Sequence, residues 1–247
     1  MAGFTTRPEI RGTFGVVAST HWLASAVGMS VLEKGGNAFD AAAAAGFTLQ
    51  VVEPSTNGPL GEAPMLVWSE ANRRCDMICG QGVAPAAATI AEFRELGLDL
   101  IPGTGLLAAA VPAAFGAWMR LLCDHGTMPL AEILGPAIGY AENGYPIARR
   151  ISETIGVVAE LFRREWPSSA AVYLPRGAPP VPGRLFRNPK LAATYRRILA
   201  EAADGSRERQ IERAQEAWYR GFIAEAIDQF CRREKVLDSS GRRHRGL

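Results

Sequence analysis

Histidine is scarce in this chain, with three among 247 residues. His21, His125 and His244 stand far apart and without clustered carboxylates, so they offer no metal-ligand set. Cysteine is nearly as rare. Cys75, Cys79, Cys123 and Cys231 lack the paired two-residue spacing of a zinc site. Cys75 and Cys79 read as one strand, where positions four apart share a side but lie too far apart to bridge, so reduced, partly buried thiols are expected. Excess charge is missing too: 27 Lys and Arg against 25 Asp and Glu leave a net charge of +2, which gives no electrostatic case for a nucleic-acid partner. The one basic run, Arg242-Arg243-His244-Arg245, reads as a solvated tail. No window approaches a membrane span and residues 1–15 hold no signal-peptide core, so the expectation is a cytoplasmic protein without membrane contact. Gly103-x-Gly105 lacks the third glycine of a dinucleotide loop, and neither a Gly-Lys-Ser/Thr phosphate loop nor a Gly-x-Ser-x-Gly elbow occurs. No cofactor and no metal are expected.

What the chain does have is an apolar content of 48%, enough for the interior of one large domain. Val16-Val17-Ala18 reads as a short strand, and Ser19 or Thr20 as the cap of a helix with Leu23, Val27 and Val31 on one stripe. Gly35-Gly36 can end that helix in the left-handed conformation, and Asn37 can cap the next. This second helix opens with Ala41 to Ala45, so another layer can lie close to it. Residues 65–68 and 75–79 read as a hairpin turning at Ala71-Asn72-Arg73-Arg74. From Pro85 the pattern is helical: residues 89–96 closed by Gly97, then 112–123, then two brief helices at 130–134 and 136–142 broken by Gly135, then 149–164. Residues 167–189, rich in proline and glycine, read as an irregular loop. Asn188 can cap a helix over 189–203, and 207–234 gives one or two more around Gly221. There are no internal repeats.

Leu32-Glu33-Lys34-Gly35-Gly36-Asn37-Ala38-Phe39-Asp40 with its alanine run, Val51-Val52-Glu53-Pro54, and the loop Asn57-Gly58-Pro59-Leu60-Gly61-Glu62 follow one another in the chain. After them come Met65-Leu66-Val67-Trp68, Val83-Ala84-Pro85-Ala86-Ala87-Ala88-Thr89, Gly103-Thr104-Gly105 with Val111-Pro112, and Tyr140-Ala141-Glu142-Asn143-Gly144-Tyr145-Pro146. In this order, across residues 15–155, they resemble the γ-glutamyltransferase-like (γ-glutamyltranspeptidase) family of N-terminal-nucleophile hydrolases. Residues 162–247 match only loosely. The resemblance implies an α+β fold, the large-chain part of a four-layer α-β-β-α sandwich with a helix-rich C-terminal half. Residues 1–247 would then be a single-domain fragment: 1–85 supply the helix pair, sheet and pocket loop, 86–247 are mainly helical, and a second chain completes it.

Two departures from the family pattern bear on function. Where chains that handle γ-glutamyl groups carry an arginine before the Ala-Pro turn, this one reads Gly80-Gln81-Gly82-Val83-Ala84-Pro85. An arginine fork grips a carboxylate with two charge-assisted bonds, whereas a glutamine offers one neutral amide. The glycine-rich loop is also altered, with Pro59, Leu60, Glu62, Ala63 and Pro64 making it stiffer and adding a carboxylate. Gln81, Asn57 and Glu62 are therefore the candidate substrate-binding residues. No catalytic residue is assigned to this chain, because the family's nucleophile is the terminal threonine of a small second chain released by autoprocessing, whose α-amino group can serve as the base. No Thr-Thr or Thr-Ser processing site followed by a strand-rich tail is found here. Arg245-Gly246-Leu247 resembles the start of the family's Gly-Leu-Leu-Thr segment cut short, so the chain reads as most of a large subunit, inactive alone.

The expected activity is amide hydrolysis or acyl transfer on a small molecule that is not a γ-glutamyl compound. The glutamine variant is closer to the oxamate amidohydrolase and cephalosporin-acylase-like branch. The alternatives are a true γ-glutamyl enzyme with altered carboxylate binding, and an inactive remnant or binding module. Other polar residues have structural readings. His21 is expected as a surface histidine at a helix start, His125 as a complement to a helix end, Asp40 as a buried carboxylate on backbone donors, and Glu53 as the residue orienting the loop.

Overall fold

The computed structural model describes residues 9–247, so the expectation about a leader in residues 1–15 lies partly outside them. Capping chemistry sets the first two helices, α1 (Trp22–Glu33) and α2 (Ala38–Val52). Gly35 ends α1 with φ at +92°, a conformation that costs glycine little. Asn37 Oδ1 then accepts from the amides of Phe39 and Asp40 at 2.9 and 3.0 Å. Asp40 returns the bond to the Asn37 amide at 3.1 Å, completing a capping box. The cap of α1 is His21 rather than Ser19 or Thr20: its Nδ1 accepts from the Leu23 amide at 3.2 Å. Ser19 Oγ instead donates to the His21 carbonyl, and Thr20 Oγ1 donates to Glu53. Residues 16–18 do not form the expected strand, since among the described residues no partner strand lies beside them.

The hairpin β1 (Met65–Ser69) and β2 (Arg74–Ile78) is antiparallel, with Met65 opposite Ile78 and Ser69 opposite Arg74. After α3 (Ile90–Glu95), capped by Thr89, and α4 (Ala114–His125) comes α5 (Leu130–Asn143). The two brief helices expected here are one continuous helix. Pro136 forgoes one backbone bond, but Leu130, Ile133, Leu134, Ala137, Ile138 and Ala141 are all buried along it, and that stripe offsets the loss.

Then follow β3 (Tyr145–Pro146), α6 (Arg149–Arg164) and α7 (Pro167–Tyr173). The segment read as irregular thus contains a helix, opened by a proline at its first position. An aromatic group of Phe162, Trp166 and Tyr173 holds it in place, and Tyr173 stacks on Phe186 of β4 (Leu185–Phe186), which pairs with β3. Three helices follow, α8 (Pro189–Glu201), α9 (Arg207–Tyr219) and α10 (Phe222–Arg233). Asn188 caps α8 through the Leu191 amide, and Gly221 separates the last two helices.

The basic tail is not a loose solvated end. It forms a small ladder of β5 (Val236–Leu237) with β6 (Arg243–His244), with Arg243 paired to Glu165. His244 Nδ1 lies 2.6 Å from the buried carboxylate of Asp238. That carboxylate also accepts from the amide and hydroxyl of Ser240, and these bonds hold it below the usual range against the opposing effect of burial. The cysteines are unbridged, but three of the four are exposed rather than partly buried, Cys231 being the exception. Cys75 lies on β2 and Cys79 just past its end, and among the described residues no layer covers the hairpin's outer face.

The core runs through α2, which lies against α1 and α5, and α5 in turn against α8. Phe47, Phe115, Tyr145 and Tyr195 are fully buried in it, and Phe115 stacks on Trp218 at 4.3 Å. No helix among the described residues is long and apolar enough to cross a membrane.

Candidate functional site

One side of α2 faces a cavity of about 400 Å³ instead of a packed layer. Its wall is the stripe Ala38, Ala41, Ala42, Ala45, Gly46, Leu49 and Gln50, which follows helical spacing over more than three turns. Residues 16–19 and the loop carrying Thr56, Asn57, Gly58, Gly61, Glu62 and Ala63 supply the other walls. Trp118 of α4 closes on Gly46 so tightly that any side chain there would collide with the indole. The alanine run therefore does two things. One face packs into the core through Ala43, Ala44 and Phe47, and the other keeps a smooth, shallow-sided space open.

The loop over this space is tied at both ends. Glu53, at the C-terminus of α2, accepts hydrogen bonds from Thr20 Oγ1 and, at 3.1 Å, from Asn57 Nδ2. The expectation that Glu53 orients the loop therefore holds. Further on, the Gly61 carbonyl accepts from the amides of Ala113 and Ala114 at 3.2 and 2.9 Å, satisfying donors at the start of α4. Ala63 N–H donates to the Gly80 carbonyl at 2.9 Å, which joins the loop to the exit of the hairpin.

Of the three candidate residues, Asn57 and Glu62 come together on the cavity wall. Asn57 is part of the loop's own framework, its Nδ2 donating to Glu53 and Thr56, while Glu62 is exposed. Gln81 is not among the cavity-lining residues. It is an exposed residue in a segment without regular secondary structure, between two glycines each pressed against backbone: Gly80 against Ala63 and Gly82 against Val111. A side chain at either position would collide with a carbonyl oxygen, while Gln81 between them is exposed. Among the described residues that line the cavity, Glu62 is the one charged side chain and no Lys, Arg or His joins it.

The other polar residues are structural. Asp40 is fully buried and accepts from the amides of Asn37, Thr127 and Met128 and from the Thr127 hydroxyl. His125 sits in the last turn of α4, its carbonyl accepting from Asn37 Nδ2 at 2.7 Å. His21 departs from expectation, being buried rather than on the surface. Burial lowers its pKa, with Glu53 pulling weakly the other way; the neutral ring suits its role, because Nδ1 must accept the Leu23 amide. Two cavity residues escaped sequence reasoning. Trp118 gave no signal, but Gln50 did: it is a lone polar side chain in the apolar run Leu49-Gln50-Val51-Val52. Among the described residues, no group of three or more His, Cys, Asp or Glu is placed to hold a metal ion.

The family model described as Gamma-glutamyltranspeptidase matches residues 24–237. Among curated relatives, the Acylase ACY 1 proenzyme of Pseudomonas sp. (strain SE83) is 38% identical over 215 residues, covering 83% of this chain and 38% of that protein. The oxamate amidohydrolase proenzyme of Klebsiella pneumoniae is 31% identical over 226 residues, covering 88% of this chain and 39% of that protein. A solved variant of LmbA2991 superimposes with a TM-score of 0.95 at 58% identity, covering 99% of this chain and 42% of that one. The chain thus spans about two fifths of the length of these proteins. The α+β arrangement is the large-chain part of the N-terminal-nucleophile hydrolase fold. With the alanine helix, the pocket loop and the hairpin in the family's order, and the family model matching most of its length, this chain belongs to the gamma-glutamyltranspeptidase family.

Proposed function

We propose that this chain builds the acyl pocket of an amide hydrolase whose nucleophile is a threonine on a second, small chain, and that the acyl group it takes is uncharged. The observation that carries this reading is the lining of the cavity, whose described residues include one carboxylate, Glu62, and no basic side chain. A γ-glutamyl α-carboxylate or an oxamate carboxylate placed there would meet a like charge and find no cation. Gln81, standing where the family's carboxylate-gripping arginine belongs, points the same way. The alanine and tryptophan walls suit an acyl side chain, and the acylase is the nearer of the two relatives by identity.

In the reaction, the threonine hydroxyl oxygen attacks the amide carbonyl while the threonine α-amino group takes its proton. The amine leaves with that proton as the C–N bond breaks. Water then attacks the acyl ester, releasing the acid and restoring the hydroxyl; an amine acceptor in place of water gives transfer. The hairpin face bearing Leu66, Trp68 and Met77 is exposed, and we assign it to contact with the second chain.

The test is to co-express the chain with a second chain carrying the terminal threonine and assay neutral acyl, oxamate, glutaryl and γ-glutamyl amides. Preferred cleavage of neutral acyl amides is the expected result. Preference for γ-glutamyl amides would favour a true γ-glutamyl enzyme, and inactivity on the whole panel would favour a remnant or binding module. Gln81 lies outside the cavity lining of this chain, so Gln81→Arg in the active pair tests whether it reaches the substrate from there: higher use of γ-glutamyl anilides would give it that role, and unchanged or weaker use would exclude it from substrate binding.

A further inference from the structure

We propose that Gln50 is a substrate-binding residue, its amide N–H groups holding an uncharged hydrogen-bond acceptor on the acyl chain. The inference rests on the reading of the alanine-walled cavity as the acyl pocket. Gln50 ends the stripe of α2 that forms the cavity wall and is only 6% exposed. The end of this amide that points into the core needs a partner there. The carbonyl has one: Tyr195 Oη donates to Gln50 Oε1 at 2.6 Å, across 145 residues of sequence. Tyr195 is fully buried on α8, edge-on to Phe47 at 5.9 Å, and burial pushes its phenol strongly towards the neutral, donating form.

This bond fixes which end of the amide faces the core. Gln50 Nε2 is left with two donors, no protein partner among the described residues, and a place on the cavity wall. A side chain needed only to satisfy the Tyr195 hydroxyl has no use for that nitrogen; a methionine paired with phenylalanine would fill the same space without a polar group. The Nε2 donors are thus available to a ligand in the cavity. Glu62, the one charge among the described lining residues, disfavours an anionic acceptor, which leaves a neutral carbonyl such as a terminal carboxamide or ketone on the acyl chain.

The experiment uses the co-expressed two-chain protein and two uncharged substrates of similar length, the succinamoyl and pentanoyl 4-nitroanilides. Only the first carries a terminal acceptor. Wild type is expected to favour the succinamoyl compound about tenfold in kcat/KM, mostly through KM. Tyr195→Phe should shrink that ratio, and Gln50→Met with Tyr195→Phe, an apolar pair of matching shape, should bring it to about one. Denaturation midpoints establish that both variants fold. A separate titration with glutaramide follows the side-chain amide protons of selectively labelled glutamine, the Gln50 signal being the one missing from the Gln50→Met variant; it should shift on binding. The inference is overturned if the folded double variant keeps the preference, or if glutaramide leaves the Gln50 signal unmoved. Should wild type cleave neither anilide, the hydrolase reading fails by itself and the titration alone decides the role of Gln50.

Discussion

The helical block of α2, α5 and α8 and the hairpin β1–β2 are similarly apolar in sequence and opposite in exposure. In the block, every large apolar side chain finds a neighbour, and even Asp40 and Tyr195 have their polar atoms satisfied. In the hairpin only one face is covered. Val67 is buried, while Leu66, Met77 and Trp68 remain 80%, 66% and 53% exposed. Burying such a side chain is worth about 1.5–3 kcal/mol, so the hairpin leaves a substantial stabilisation unused, whereas the block has little left to gain. Stability of this chain thus resides in the helices. The sheet is a surface held out from them, and the cavity lies between α2, residues 16–19 and the loop that leads into the hairpin.

Substitutions should divide along the same line, and Asp40→Ala should show it most strongly. Its carboxylate serves the α2 cap and the Thr127 and Met128 amides at once, so removal strands several buried donors. A loss of about 3–5 kcal/mol in urea denaturation is expected; a loss below about 1 kcal/mol would mean that the block tolerates unpaired groups. Next is Gly46→Val. The new side chain would collide with the Trp118 indole, and overpacking of this kind costs about 1–3 kcal/mol. Because Trp118 lines the cavity, its fluorescence should change as well. An unchanged spectrum in a folded variant would contradict the close packing of that wall.

Much of the block could be read from local sequence, because caps are local. Asn37 with Asp40, Thr89, Asn188, and the glycines at 35 and 221 each stand within a few residues of the end they define. Reading failed where the deciding partner was distant or a choice was finely balanced. Continuity of α5 through Pro136 depends on a buried stripe outweighing one lost backbone bond. The His21 cap depends on a ring nitrogen that accepts only when neutral, and the ordered tail depends on Glu165, far away in sequence. Asn57 and Glu62 share the cavity wall because the loop is contiguous, whereas Gln81, found at the hairpin exit as expected, lies outside the cavity lining it was expected to join. The Gln50–Tyr195 pair was not legible, since no short-range pattern links α2 to α8.

Acidification should also act on the N-terminal helices before it acts on the hairpin. The pKa of His21 is lowered in the fold by burial, so the unfolded chain takes up its proton first as pH falls. The stability contributed by the neutral ring is therefore complete above the ordinary histidine value of 6.5 and is lost as pH drops below it. Protonation of Nδ1 also removes the acceptor for the Leu23 amide. Melting curves recorded from pH 8 to pH 5 should show a decline below about 6.5 that Asn at this position, in His21→Asn, abolishes while keeping a cap. A decline of equal size in that variant would place the sensitive group elsewhere.

The smallest change in stability is expected from the most visible residues. Leu66 and Met77 face each other across the hairpin and project from its uncovered side. Replacing both with serine removes apolar surface that the isolated chain does not bury, so the unfolding free energy of this chain should change by no more than about 0.5 kcal/mol. The same pair should matter once a second chain is present. If the outer face is where that chain docks, the double variant will fold normally yet yield far less two-chain complex on co-purification, because two apolar contacts at its centre are gone. Serines that destabilised the lone chain by several kcal/mol would instead show that the outer face is already packed and that the contrast with the helical block is false. Serines that left both folding and assembly intact would keep the contrast but move the docking surface off the hairpin. The two measurements together separate a surface that supports this chain from one that waits for another.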